Sequence, residues 1–262
     1  MKNIIRELGY HMRKDGLLLR VNLLVTVLLI AVMFVSYLTQ DDASGFSRLI
    51  AASPQILLVL HFGFMGINIG WFTGGDMKDK VINYEILQGH SRLRIFLART
   101  LPAIFLASFI FLFQELLALV IPSAVFGWGD VISYHGVILR ILLTLLPALR
   151  MAAFLALLTF VVKNSYVIMA CSVVLPVLIG ILMEGFSEAC TYAAGYYNAL
   201  KLFSYTDWGI YNVDPVKGIV EYMSYTDSLS PSLVIGTVLV SVIMTLLYLL
   251  AGYALFRRED LN

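Results

Sequence analysis

The chain has 262 residues, of which 60% are hydrophobic and 13% charged, with a formal net charge of +1. Soluble domains carry about 25% charged residues, and several apolar runs here reach the roughly 20 residues that cross a bilayer. A soluble fold is therefore excluded, and the near-neutral balance gives no argument for a nucleic-acid partner.

Residues 2–20 place Ile4, Ile5, Leu8, Met12 and Leu19 near one helical face and Lys2, Arg6, Arg13 and Lys14 mostly on another. That pattern suits a helix lying in the membrane surface, and residues 1–20 are expected to form one. The run at 21–38 is too long for the apolar core of a signal peptide and no clean cleavage site follows it. It is expected to be retained as the first of six spans, at about 21–38, 55–73, 97–121, 137–162, 166–183 and 233–256. The fold class expected is all-α, a single polytopic transmembrane domain over 1–262. Each run is long and continuous, unlike the short alternating strands of a membrane barrel. The second run carries Gly63, Gly66, Gly70 and Gly74, a stripe that lets two helix backbones approach closely. His61 and Asn68 in the same run are expected to be hydrogen-bonded within the bundle.

Between the second and third runs, Lys80 to Gln88 can form about two helical turns. Gly89 fits the left-handed position that ends a helix, and Ser91 fits the N-cap of the next one. So short a helix is marginal alone and needs a surface to pack on; the plain alternative is an inter-span loop. The third run contains Glu115 and the fourth contains Arg140 at similar depth, so the two are expected to pair. They serve either as a structural tie or as part of a translocation path or its outer gate. Arg150 lies deeper and is expected to face protein or an aqueous cavity, because a charge at mid-span costs about 2.5–3.5 kcal/mol; lining the translocation path is the role expected of it, with bonding to backbone carbonyls as the structural alternative. In the fifth run Ser172, Pro176 and Gly180 recur every four residues and make a smooth, kinked face.

Residues 184–232 hold seven tyrosines together with Phe186, Phe203 and Trp208. Short helices at 184–204 and a looser part around Asn212-Val213-Asp214-Pro215 are expected there, forming either a cap over a substrate path or an ordinary aromatic belt. The last run, 233–256, is followed by a short tail at 257–262.

Lys and Arg crowd the N-terminus, the 74–99 stretch, Lys163 and the tail at Arg257 and Arg258, against only Arg48, Lys201 and Lys217 on the other side. By the positive-inside rule both termini are cytoplasmic, in a multi-pass protein of the cell membrane. Two cysteines, Cys171 in an apolar run and Cys190 in a polar loop, imply no disulfide framework. The four histidines are His11, His61, His90 and His135; they show no ligand spacing, and no metal site is expected.

The run Val81-Ile82-Asn83-Tyr84-Glu85-Ile86-Leu87-Gln88-Gly89-His90-Ser91-Arg92-Leu93-Arg94-Ile95-Phe96-Leu97-Ala98-Arg99 resembles the first cytoplasmic loop of permease subunits of ABC transporters of the second exporter class. Antibiotic-peptide export and immunity permeases belong to that group. The six spans, the surface helix, the long segment before the last span and the short tail are similar too. The opening at Gly75-Asp76-Met77-Lys78-Asp79-Lys80 departs from the acidic-x-x-x-Gly-Thr often seen before this helix. The resemblance implies that residues 81–88 form a coupling helix docking into a separate ATPase, through Ile82, Tyr84, Glu85, Leu87, Gln88, Gly89, His90, Ser91 and Arg92. It favours spans one and five as the seam with a second permease copy or a homologous permease. No G-x-x-x-x-G-K-[ST] phosphate loop occurs in the chain. No cofactor is expected on it; ATP and Mg would sit on the partner P-loop ATPase. The chain itself is then a transport subunit rather than an enzyme, moving an amphipathic or hydrophobic substrate such as an antimicrobial peptide, drug or lipid. An intramembrane enzyme using Glu115 or His61, or an ion-coupled transporter, are the alternatives. The first lacks a second acid–base group at helical spacing, and the second lacks inverted repeats.

Overall fold

The computed structural model describes residues 16–39, 45–52, 64–74, 86–162, 164–183, 195–203, 205–214, 218–225 and 228–258. In chain order these form α1 (Gly16–Leu38) and α2 (Phe46–Ala52), then α3, which is helical over 64–69 and widens into a π-helical turn at Gly70–Gly74. Next come α4 (Arg92–Phe126), α5 (Tyr134–Val162), α6 (Ser165–Met183) and α7 (Gly195–Leu202). The strands β1 (Thr206–Asp214) and β2 (Gly218–Tyr225) and a final helix α8 (Pro231–Arg257) complete the order.

Four of these helices, α1, α4, α5 and α8, are long and apolar enough to cross a membrane. The chain is a helical membrane protein. Of the six expected spans, the first, third, fourth and sixth coincide with these helices, and the fifth coincides with the 19-residue α6. Part of the second lies in α3, and the rest, with His61 and Gly63, lies outside the described residues. Of the expected surface helix, residues 1–15 lie outside the described residues, and residues 16–20 continue into α1 as one helix. An apolar run gives no reason to break there, because Leu17, Leu18 and Leu19 extend it without a cap or a proline.

Helix α5 is the centre of the bundle, packing on α3, α4, α6, α7 and α8. Its residues Val137, Ile141, Ala148, Ala152, Leu155 and Ala156 enter one continuous core with Phe111, Ala118 and Leu119 of α4 and Met65 and Ile69 of α3. The many alanines on α5 let neighbouring backbones come close, which is how helices associate where lipid removes the hydrophobic drive. By contrast α1 and α8 keep apolar side chains outward, among them Leu23, Leu24, Val27, Val242, Ile243 and Leu246, as lipid-facing helices do.

The closest approach involves the glycine stripe. A methyl group at Gly66 of α3 would overlap Cβ and Oγ of Ser172 in α6, so these two helices touch backbone to backbone here. Gly70 and Gly74 bound the widened turn, and within it the Thr73 hydroxyl donates back to the Ile69 carbonyl at 2.7 Å. Pro176 and Gly180 lie within α6.

At one end of the bundle α2 is held by the α4–α5 connection. The Phe46 and Ser47 amides donate to the carbonyls of Gly127 (3.1 Å) and Trp128 (2.7 Å). Gly45 sits at φ +93 against the Gly129 backbone, where a side chain would collide.

Where the sequence leads one to expect a looser stretch around Asn212–Pro215, β1 and β2 form an antiparallel hairpin instead. Thr206 pairs with Tyr225, and Asp214 with Gly218, with an irregularity between Ile210 and Asn212. The composition accounts for it. Trp208, Ile210, Tyr211 and Val213, then Ile219, Val220, Tyr222 and Tyr225, are β-branched or aromatic, and a Pro-Val-Lys stretch separates the two runs. Only part of the expected helical content of 184–204 is described, as α7.

Candidate functional site

The stretch singled out in the sequence enters the described residues at Ile86. A last helical turn at 86–87 closes at Gly89, whose amide donates to the Ile86 carbonyl at 3.0 Å. Gly89 has φ +86, the left-handed conformation in which a Cβ is unfavourable. Three residues later, at Arg92, α4 begins, with Ser91 in extended conformation at its N-cap position. The expected hydroxyl cap is not formed: the Ser91 side chain makes no hydrogen bond to the first turn. Ser91 is exposed, so water can serve the free amides of that turn and the hydroxyl gains little by turning inward. Ile82, Tyr84 and Glu85 lie outside the described residues.

This turn is mounted on an aromatic cluster. Phe96 of α4 meets Phe160 of α5 at 5.4 Å between ring centroids, and Tyr253 and Phe256 of α8 at 5.5 and 5.9 Å. Phe160 and Phe256 meet at 5.8 Å. Ile86 packs against the same group. Tilted and edge-on aromatic pairs add about 0.5–1.5 kcal/mol each beyond the area they bury, so three helices are joined at one point directly behind the turn. Gly252 of α8 makes room for them, with Phe96 and Phe160 ring atoms 3.5–3.6 Å from where its Cβ would be.

A second tie comes from Arg92, whose Nη1 donates to the Arg257 carbonyl at 2.5 Å. That carbonyl belongs to the last turn of α8, where unsatisfied acceptors and the negative end of the helix dipole favour a cation. Leu87, by contrast, is 76% exposed. Gln88, Gly89 and Ser91 are exposed and His90 is partly so. The turn therefore presents one exposed apolar side chain, Leu87, on a base packed against α4, α5 and α8.

The polar residues in the spans divide into three groups. The first was only partly foreseen. Asn22 of α1 and Asn68 of α3 exchange side-chain amide hydrogen bonds at 2.9 and 3.1 Å. Gln114 of α4 donates to the Thr26 hydroxyl at 3.2 Å and to the Asn22 carbonyl at 3.4 Å. Three helices are thus tied by amides in an apolar setting. The hydrogen-bonded role expected of Asn68 has its partner in Asn22. The only sequence signal for Asn22 and Gln114 is an isolated amide inside an apolar run.

The second group is Arg140, which is fully buried. Its Nη1 donates to the Leu202 carbonyl at 2.6 Å and its Nη2 to the Ser228 carbonyl at 3.5 Å. The guanidinium carbon lies 4.1 Å from the centroid of the Tyr205 ring. Glu115, on the neighbouring helix α4, is fully buried too. The contacts just described orient the Arg140 head toward α7 and the two ends of the hairpin.

In the third group, Arg150 is 2% exposed and faces protein, with the Tyr248 phenol of α8 as an electrostatic neighbour. Tyr248 stacks obliquely on Phe154, one turn further along α5, at 5.3 Å.

No cluster of His, Cys, Asp and Glu able to hold a metal ion occurs among the described residues. Cys171 is a free thiol in α6. No protein-family model matches the chain, and no curated protein matches it.

Proposed function

We propose that the chain is the transmembrane subunit of an ATP-driven ABC exporter, and that the knob at 86–91, continuing the 81–88 segment, receives the push of a separate P-loop ATPase. The observation that carries this reading is the mount: an exposed Leu87 on a turn closed by Gly89, backed by the Phe96–Phe160–Phe256 cluster. A knob that merely joined two spans would need neither a rigid base nor an apolar tip. A knob that transmits force needs both, since displacement of a loose loop dissipates before it reaches the helices.

In this scheme closure of the ATPase pair on ATP and Mg moves the knob. The aromatic cluster passes that motion into α4, α5 and α8 together, and the change in helix tilt opens or collapses an apolar route. The knob side is then cytoplasmic, as are both termini, in agreement with the Lys and Arg distribution. Two permease copies, or this chain with a homologous one, would enclose the route in the cell membrane, and the cargo would be amphipathic or lipid-soluble. The assignment to this transporter class rests on the resemblance of the 81–99 run, and a fold alone does not define cargo.

The test is whether a separate P-loop ATPase, sought first in a neighbouring reading frame, co-purifies with this chain. Leu87→Asp places a charge on a side chain that makes no core contact, so folding should be retained. Substitutions at such surface positions change stability by less than about 0.5 kcal/mol. Loss of the ATPase from a well-folded Leu87→Asp protein is the expected result. An undiminished complex would remove the knob from the coupling path.

A further inference from the structure

We infer that Arg140 is the seat of the β1–β2 hairpin, a buried cationic pin that sets how the hairpin stands on the bundle. The partners of the guanidinium bracket the hairpin at its base. Leu202 and Tyr205 come just before β1 opens at Thr206, and Ser228 follows β2, which ends at Tyr225. One side chain of α5 therefore holds both ends of the excursion, by two carbonyl acceptors and one aromatic face.

The surroundings fix the pin in place. Val137 and Ile141 of α5, with Ala199, Leu202, Phe203 and Tyr205, are all buried in the same core. The adjoining α7 is tied to α8 through the Thr237 hydroxyl, which donates to Asn198 Oδ1 at 2.7 Å. The chain before the hairpin is thus docked on two helices, and the hairpin extends from that dock.

The choice of arginine has consequences that an apolar seat would not. Apolar packing is non-directional and tolerates slippage. A guanidinium presents five N–H groups in a fixed plane and has no acceptor, so its carbonyl partners must stay in defined directions. Removing them leaves a buried charge with lost solvation, which is strongly unfavourable. Lifting the hairpin base would strip the guanidinium of these directional partners, so the seat favours one placement of the two hairpin ends. An isolated two-stranded hairpin is marginally stable, so the order of this one depends on that seat. This inference stands on the geometry around Arg140 and does not require the transport reading.

Amide hydrogen exchange of the full-length protein in detergent micelles tests it, with Arg140→Met and Arg140→Lys compared with the parent. For Arg140→Met, exchange of the hairpin amides over 206–225 should rise by about tenfold or more, the scale of losing one hydrogen bond to a charged group. Amides in the middle of α4, α5 and α8 should keep their protection. Arg140→Lys keeps the charge but cannot satisfy two carbonyls and cover a ring at once, and should fall between. Two results overturn the inference: hairpin exchange unchanged in Arg140→Met, or a uniform rise across the bundle that makes Arg140 an ordinary core residue. Should Arg140→Met fail to fold, Tyr205→Leu removes the ring while leaving the cation and both carbonyls. A rise confined to 206–225 supports the seat, and an unchanged hairpin refutes it.

Discussion

Gly66 gives the sharpest quantitative test of the packing. A methyl placed there would overlap Cβ and Oγ of Ser172 and lie 3.3 Å from its Cα. The obstruction is the root of the side chain, so no rotamer of Ser172 removes it and the helices α3 and α6 must separate. Overpacking of this kind costs about 1–3 kcal/mol. Gly66→Ala also gains about 0.8–1.0 kcal/mol of helix propensity, so the single substitution alone would understate the clash. Ser172→Gly clears the space at roughly 0.5 kcal/mol of propensity. The double-mutant cycle separates the terms, because propensity is local to each helix while the clash needs both side chains. Reversible unfolding of the four proteins in mixed micelles with increasing SDS should give a coupling energy of about 1–3 kcal/mol, with Gly66→Ala/Ser172→Gly more stable than the sum of its singles. A coupling within about 0.5 kcal/mol of zero would mean that α3 and α6 do not cross at Gly66 and Ser172, and the close approach would have to be abandoned.

Three further outcomes follow from other contacts. Asn22→Leu leaves the Asn68 amide without its reciprocal partner and should lower stability by about 0.6–1.7 kcal/mol, the measured span for interhelical hydrogen bonds in bilayers; Asn22→Leu/Asn68→Leu should recover part of that in the same SDS titration. Arg92→Gln removes a cation from the C-terminal carbonyls of α8 and should cost only about 0.3–1 kcal/mol, read as faster amide exchange at 255–258 with the rest of the helix unchanged. Phe96→Ala empties the centre of the aromatic cluster and should loosen a spin label at position 87 while leaving the ATPase bound, so that nucleotide hydrolysis continues and export falls; retained export would separate the cluster from force transfer.

The long helices were readable because their apolar runs exceed what a soluble fold needs, and the boundaries came within a few residues wherever a strong signal stood. Gly89 ends a turn through a conformation few other residues accept, and α8, expected from 233, starts two residues earlier at Pro231. Ser91 illustrates the limit: its position is right and its hydroxyl bond absent, since an exposed N-cap position can be served by solvent. The hairpin was missed because a tyrosine-rich stretch has the composition of an interfacial belt as readily as that of strands. The carbonyl and ring partners of Arg140 were not legible for a different reason. Depth along a helix can be computed from sequence, but the direction of a side chain around the bundle depends on which neighbour packs where, and the chain between α6 and α8 returns to α5 over 62 residues from Arg140 to Leu202. The tie between Asn22 and Asn68 likewise spans 46 residues.

Helix α5 connects the two ends where these details lie. Arg140, which seats the hairpin, and Phe160, which backs the knob, belong to one helix and are separated by about 30 Å at 1.5 Å per residue, the thickness of a bilayer core. Between them α5 is buried in the centre of the bundle, with Arg150 buried partway along and the Tyr248 phenol as an electrostatic neighbour. Pro147 interrupts its hydrogen-bond ladder by one donor. A displacement of the knob that tilts α5 as a rod would move the carbonyl-bound end at Arg140, whereas a bend absorbed at Pro147 would leave the hairpin still. The packing around Pro147 argues for the first case. Thr144, Ala148 and Met151 are buried beside it, and a close-packed interior resists the local volume change that a hinge requires. On the proposed reading, α5 would link the knob at one end of the bundle to the seated hairpin at the other as one continuous helix.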